Sequence, residues 1–229
     1  MSVKSSPKNL RFAVLAADIT LFTLHDGCLL VRVVRVDRSP HFVNYEALPG
    51  GLLRPSETAE QAVSRLLGDK AGIAKGKVYV EQLYTFSRLD RDPRGRVVAV
   101  AYLALVPYEE LSEGEREANL DVRWSPVGRV RKLAYDHNEM LTVALARLRS
   151  RATYTTLLQK LMPKEFTLTE LENAYESVLG KSIDKRNFRK KILATGVLEE
   201  LSKIRAGMNY RPARLYRFKL KKVKEVVVL

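Results

Sequence analysis

The stretch GLLRPSETAEQAVSRLLGDKAGI, residues 51–73, organises the first part of the chain. Gly51, Glu57, Arg65, Gly72 and Ile73 stand at long fixed intervals in it. Between them Ala59, Ala62, Val63, Leu66 and Leu67 recur with the spacing of one helix face, which predicts an amphipathic helix. Leu48-Pro49-Gly50-Gly51 before it and Gly72 after it are loop punctuation. Upstream, residues 11–36 read as a β-hairpin: Phe12, Val14 and Leu15 open one apolar run, Leu29 to Val36 form another, and His25-Asp26-Gly27 is the turn. Residues 37–47, with Pro40, read as a loop. Downstream, Val78 to Phe86 and Val97 to Val106 read as strands around the charged turn Asp90 to Gly95. A helix is expected from about Asn138 to Arg149. Strand, strand, helix, strand, strand, helix predicts a mixed sheet with helices packed on it.

The spacing resembles the Nudix box, a Gly-rich loop, helix and loop that holds a divalent metal against a diphosphate. What that resemblance implies depends on the glutamates after the arginine. Mg²⁺ wants oxygen ligands, and a metal-bound water is the usual nucleophile. Here those positions hold Leu66, Asp69 and Lys70. Leu66 cannot ligate metal, and Lys70 puts a positive charge where a dication would sit. Asp69 is the residual metal candidate, and Glu57 lies outside the ligand set. The expectation is a retained fold, lost or very weak hydrolysis, no required cofactor and no use of Mg²⁺.

Thr85-Phe86-Ser87, Arg91 through Arg96, Tyr102 and Tyr135-Asp136-His137 resemble the sensor domains of Nudix-related transcriptional regulators of the NrtR type. The resemblance implies a site for ADP-ribose or a related metabolite. The candidate effector-binding residues are Gly50, Gly51, Phe86, Arg88, Arg91, Arg94, Tyr102 and His137. Guanidinium groups suit a diphosphate because they can bond to it bidentately, and Phe86 or Tyr102 is expected to stack on adenine. Against this, the arginines also fit a solvated loop, the aromatics a core, and His137 a helix cap.

The net charge is +14, which points to an anionic partner, nucleic acid before membrane. Residues 1–150 carry 22 Lys/Arg and 18 Asp/Glu, whereas residues 151–229 carry 18 and 8. The smaller C-terminal part therefore holds most of the excess. It reads as a short helix from Thr153 to Leu161, then a helix opened by a capping box at Thr167/Glu170 or Thr169/Glu172. A further helix starts at an Asp184 N-cap, and two strands run from Glu199 to Leu220. On the Asp184 helix, Phe188 and Ile192 share an inner face, and Lys185, Arg186, Asn187, Arg189 and Lys190 are left to contact DNA. Arginine reads guanine and asparagine reads adenine in the major groove, though basic side chains more often contact phosphate. Arg205, Arg211 and Arg214, with Lys203, would form a basic wing. Lys4, Lys8 and Arg11 form a basic N-terminal arm. Arg186 to Lys190 and Arg211 to Tyr216 again resemble the NrtR-type regulators.

The expected architecture is thus a Nudix fold of the α+β or α/β kind over residues 1–150, a mixed sheet flanked by helices, and a winged helix-turn-helix over residues 151–229. The resemblance implies a dimeric repressor of NAD metabolism genes. It would bind double-stranded DNA at a palindromic operator and sense ADP-ribose as a small-molecule effector. Two alternatives compete: a regulator of the same architecture tuned to a sugar or sugar phosphate, and an active Nudix pyrophosphatase with an accessory nucleic-acid-binding domain. A single cysteine, Cys28, excludes an intrachain disulfide framework. With no secretory pattern at Met1 to Arg11 and no apolar run of spanning length, a cytoplasmic location and no membrane partner are expected.

Overall fold

The computed structural model describes residues 13–74, 76–117, 121–207 and 210–228. Strands β1 (Val14–His25) and β2 (Cys28–Arg38) form the expected hairpin. Its turn uses left-handed backbone at Asp26 and Gly27, with φ of 48° and 67°, the geometry two-residue hairpin turns require. There follow β3 (Phe42–Ala47), β4 (Gly50–Leu52), α1 (Ala59–Asp69), β5 (Tyr79–Phe86), β6 (Val97–Leu105), the short α2 (Glu113–Arg116) and β7 (Val122–Pro126). Next come α3 (His137–Tyr154), the two-residue β8 (Phe166–Thr167), α4 (Leu168–Leu179), α5 (Lys185–Ala194), β9 (Leu198–Gly207) and β10 (Tyr210–Phe218).

The main sheet runs β3-β2-β1-β6-β5, with β4 on β1 and β7 on β2. The β1–β6 pairing is parallel and the others are antiparallel, so the sheet is mixed as expected. Side chains along a strand alternate between faces. On β1, Ala17, Ile19 and Leu21 pack with Ala62, Val63, Leu66 and Leu67 of α1. Ala16 and Phe22 face the other way and join a core with Met140, Leu141, Ala144 and Leu148 of α3. The sheet is therefore sandwiched between the two helices. Each large apolar side chain buried this way contributes roughly 1.5–3 kcal/mol. The α1 N-terminus is fixed by a capping box between Thr58 and Gln61.

Three readings of the sequence need correction. Residues 42–47, expected as loop, form β3: Val34, Arg35 and Val36 of β2 pair with Ala47, Glu46 and Tyr45. The edge strand is short and half-polar, and Asn44 sits at φ 57°, so no alternation marks it. β7 was not expected at all, since its five residues are half-buried and carry a proline. Finally, α3 runs unbroken through residue 150 to Tyr154, and a 3-10 turn at Leu157–Lys160 replaces the helix expected over 153–161.

In the C-terminal part, α4 and α5 pack on a three-stranded sheet ordered β8-β10-β9. Thr167 and Glu170 form the capping box of α4, and Gly180 ends that helix at φ 69°, the left-handed cap that glycine adopts without strain. The Asp184 side chain caps α5 by accepting the Asn187 N–H at 3.0 Å. Leu171, Tyr175, Val178, Phe188, Ile192 and Tyr216 extend the α3-side core without a break. The hairpin turn of β1 and β2 also meets α4, where the Ser177 hydroxyl donates to the Gly27 carbonyl.

Glu115 at the C-terminal side of α2 ties down the loop behind α1. Its carboxylate accepts the Ala74 N–H at 2.7 Å, the Ser112 N–H at 2.6 Å and the Lys77 ammonium at 2.9 Å. Burial works against its charge, but these donors outweigh burial and hold its pKa at about 2, below the ordinary 4.5. A depressed carboxylate stabilises the fold above its unfolded pKa and loses that contribution as pH falls through the folded value. Glu115→Gln is therefore expected to remove on the order of 2 kcal/mol at neutral pH. The wild-type protein should lose stability more steeply than the variant between pH 4.5 and 2, as read from urea midpoints at each pH.

Candidate functional site

A cleft of about 710 Å³ opens where β1, β2, β4, the end of α1, the β5–β6 loop and the start of α3 meet. Its floor is Asp18, which lies 5% exposed in the middle of the apolar β1. The Asp18 carboxylate faces two partners: Arg91 at 3.3 Å and the His137 Nε2 at 3.7 Å. His137 Nδ1 accepts the Leu48 N–H at 2.9 Å, so the ring proton of the neutral form lies on Nε2, towards Asp18.

Gly50 closes this corner. Any Cβ there would overlap the Asp18 carboxylate, so glycine is required by the approach of β4 to β1. A Gly51 Cβ would crowd the Leu66 side chain at 3.0 Å, which fixes how closely α1 lies under the loop. Glu57 bonds Arg65 at 3.0 Å. The framework glutamate and arginine are thus spent on each other, and Glu57 is held at a pKa of about 2 by that arginine.

Arg91 is bound bidentately by Asp136, with both N···O distances 2.9 Å. Its burial disfavours the charge, but Asp136 and Asp18 outweigh burial and raise its pKa. Arg94 makes the same kind of fork with Asp92, at 2.9 and 2.6 Å, and its guanidinium lies 5.7 Å from the Tyr135 ring centre. Tyr135, at φ 55°, turns its ring into the cleft beside Phe42 and His137.

Gly50, Gly51, Arg91, Arg94 and His137 therefore converge on one cleft, as the sequence suggests. Arg88, Phe86 and Tyr102 do not. Arg88 is exposed and pairs with Asp90 at 2.9 Å. Phe86 is 4% exposed within the α3-side core, and Tyr102 is 3% exposed beneath α1, on the other sheet face. The strand pleat excludes both from stacking on a ligand in this cleft. Arg91 is also corrected in role: held by two carboxylates, it organises the floor rather than offering a free fork. Sequence reasoning missed Asp18, Arg35, Arg38 and Tyr135 as cleft residues. A lone aspartate inside the apolar run of β1 was the available signal, since a buried charge needs a partner. Arg35, on the expected strand, and Arg38, in the expected loop, carried none, because neither assignment says which surface the side chain lines.

On the C-terminal part, Lys185, Arg186, Asn187, Lys190 and Lys191 line the exposed side of α5, and the lysines and Arg186 have no ion-pair partner among the described residues. Arg189 differs. It forks onto Glu172, whose side chain is fully buried in α4, with one contact at 3.0 Å. Arg189 is thus a tie between α4 and α5, not a free DNA contact. Lys203, Arg205 and Arg214 pair with Glu165, Glu170 and Glu200. Such exposed pairs contribute about 0–1 kcal/mol, so a phosphate can compete for these side chains. The Arg211 side chain and Lys4, Lys8 and Arg11 lie outside the described residues. No described helix is long and apolar enough to cross a membrane.

Comparison with known proteins matches both halves. The NUDIX domain family matches residues 13–144, and the NrtR DNA-binding winged helix domain matches residues 158–218. The chain is 35% identical over 211 residues to the ADPR responsive transcriptional repressor NtrR of Acinetobacter baylyi, covering 90% of this chain and 82% of that protein. It is 34% identical over 96 residues to an ADP-ribose pyrophosphatase of Methanocaldococcus jannaschii, covering 42% of this chain and 54% of that protein. The crystal structure of Shewanella oneidensis NrtR complexed with a 27mer DNA superposes with a TM-score of 0.78 at 34% identity, covering 90% of this chain and 93% of that chain. The NUDIX domain of that protein complexed with ADP ribose matches with a TM-score of 0.54 at 35% identity, covering 63% of this chain and 94% of that chain. The chain belongs to the NrtR family, a NUDIX domain joined to an NrtR DNA-binding winged helix domain.

Proposed function

We propose that this protein is a DNA-binding transcriptional repressor that senses ADP-ribose in its Nudix cleft without hydrolysing it. The observation that carries the reading is the pairing of two surfaces on one chain. One is a Nudix frame kept at Gly51, Glu57 and Arg65 with Leu66 and Lys70 in place of glutamates. The other is a helix, α5, whose outer face holds Lys185, Arg186 and Lys190 unpaired among the described residues. Relatives seen with DNA and with ADP ribose support both ends. The two functional parts divide near residue 150, the active form is a homodimer on a palindromic operator, and the regulated genes serve NAD metabolism.

The reading is tested by titrating a fluorescent operator from the protein's own promoter with the protein, with and without ADP-ribose. A change in operator affinity with ADP-ribose is expected. In parallel, incubation with ADP-ribose and Mg²⁺ should yield no turnover near the ~1 per second of ordinary enzymes. Brisk hydrolysis would favour the pyrophosphatase reading instead.

The slope of log affinity against log salt separates the side chains on α5. Each phosphate neutralised on duplex DNA contributes roughly 0.9 to that slope. Arg186→Gln or Lys190→Gln should each lower it by about 1. An unchanged slope in both would move the DNA contact off α5.

A further inference from the structure

The fold family pairs this frame with a divalent metal, and the residues here do not fit one. Positions 66, 69 and 70 share a helix face, being three and four residues apart. Leu66 on that face is 1% exposed and packed beneath Gly51. Asp69 is exposed and leans to Arg65 at 3.9 Å. Asp18 and Asp92, the buried carboxylates of the cleft, are held by Arg91 and Arg94. Among the described residues no group of three or more His, Cys, Asp or Glu is placed to hold a metal ion. Magnesium needs several oxygen ligands in near-octahedral array, and an ammonium beside it would repel it.

The cleft lining carries as many aspartates as lysines and arginines, but not all of its cations are tied to a carboxylate. Lys70 lies on its wall at the end of α1, and Arg35 and Arg38 line the β2 side. None of the three has a carboxylate partner among the described residues, whereas Arg91 and Arg94 are both spent on aspartates. We propose that the Lys70 ammonium stands in for the metal as the counter-charge to the effector's diphosphate, with Arg35 and Arg38 opposite it, so that the effector binds without any divalent cation. This rests on the reading of the cleft as a diphosphate site. It also accounts for binding without cleavage. An ammonium neutralises a diphosphate, but it does not lower the pKa of a bound water as a metal does.

The test is calorimetric titration of the full-length protein with ADP-ribose, once in EDTA and once in excess Mg²⁺. The wild type should bind equally in both. Lys70→Ala should bind roughly tenfold to a hundredfold more weakly in both, the scale of a charge-assisted hydrogen bond. Lys70→Glu should bind poorly in EDTA and regain affinity with Mg²⁺, because it adds a carboxylate one turn from Leu66 beside Asp69. Unchanged melting temperatures of the free variants establish that the folds are intact. Wild-type binding that requires Mg²⁺, or full affinity in Lys70→Ala, overturns the role of Lys70 while leaving the effector reading standing. No binding of ADP-ribose under either condition overturns both.

Discussion

Arg91→Met should destabilise the protein by about 3–5 kcal/mol, the cost of leaving a buried charge without its partner. The side chains of Arg91, Asp18 and Asp136 are 3%, 7% and 2% exposed. Removing the guanidinium strands two carboxylates with little water to take its place. They must then be protonated or drag the β5–β6 loop open, and either outcome distorts the corner that Gly50 and His137 share with Asp18. Since small domains hold roughly 5–15 kcal/mol in total, the variant should sit near the edge of folding. Urea unfolding at pH 7 measures the loss. The double variant Arg91→Met with Asp136→Asn should recover part of it, because one of the two stranded charges is gone. A loss below 1 kcal/mol in the single variant would mean that water reaches this floor freely.

The second large effect belongs to α5. Arg189→Met leaves Glu172, fully buried, without its guanidinium. The arginine itself is 46% exposed, so solvent softens the penalty, and about 2–3 kcal/mol is expected. Arg189 also donates to the Thr169 hydroxyl at 3.3 Å, so the first turn of α4 loosens with α5. Operator binding should fall sharply while the salt slope of the remaining binding stays near the wild-type value. That combination separates a residue that positions the helix from one that neutralises phosphate. Glu172→Gln with Arg189→Met should restore stability in part. A slope lowered by about 1 in Arg189→Met would return the residue to the DNA contacts.

Much of this was legible in the sequence because periodicity and punctuation are local. The stripe Ala59 to Leu67 became α1, the turn at Asp26-Gly27 became the hairpin, and Asp184 capped α5. The place of Leu66 was legible for a similar reason: it belongs to the apolar stripe, and it is buried. What was not legible depends on partners distant in sequence. Arg91 reads as a loop arginine until Asp136 and Asp18 are brought to it from 45 and 73 residues away. Arg189 reads as one more cation on a basic helix until Glu172 appears beneath it. Phe86 and Tyr102 read alike as candidate stackers. Only the sheet, which assigns each a face, sends one under α3 and the other under α1.

The α3-side core does not stop where the Nudix frame ends. It runs from Phe22 and Leu103 on the sheet, along Leu148 and Ala152, to Leu171 and Tyr175 of α4 and Phe188 of α5. Two modules joined by a flexible tether would come apart separately on heating. A chain whose sensor and reader share one apolar interior is built to melt in a single step. Truncation near residue 150 would lay bare an oily face that neither half can cover alone.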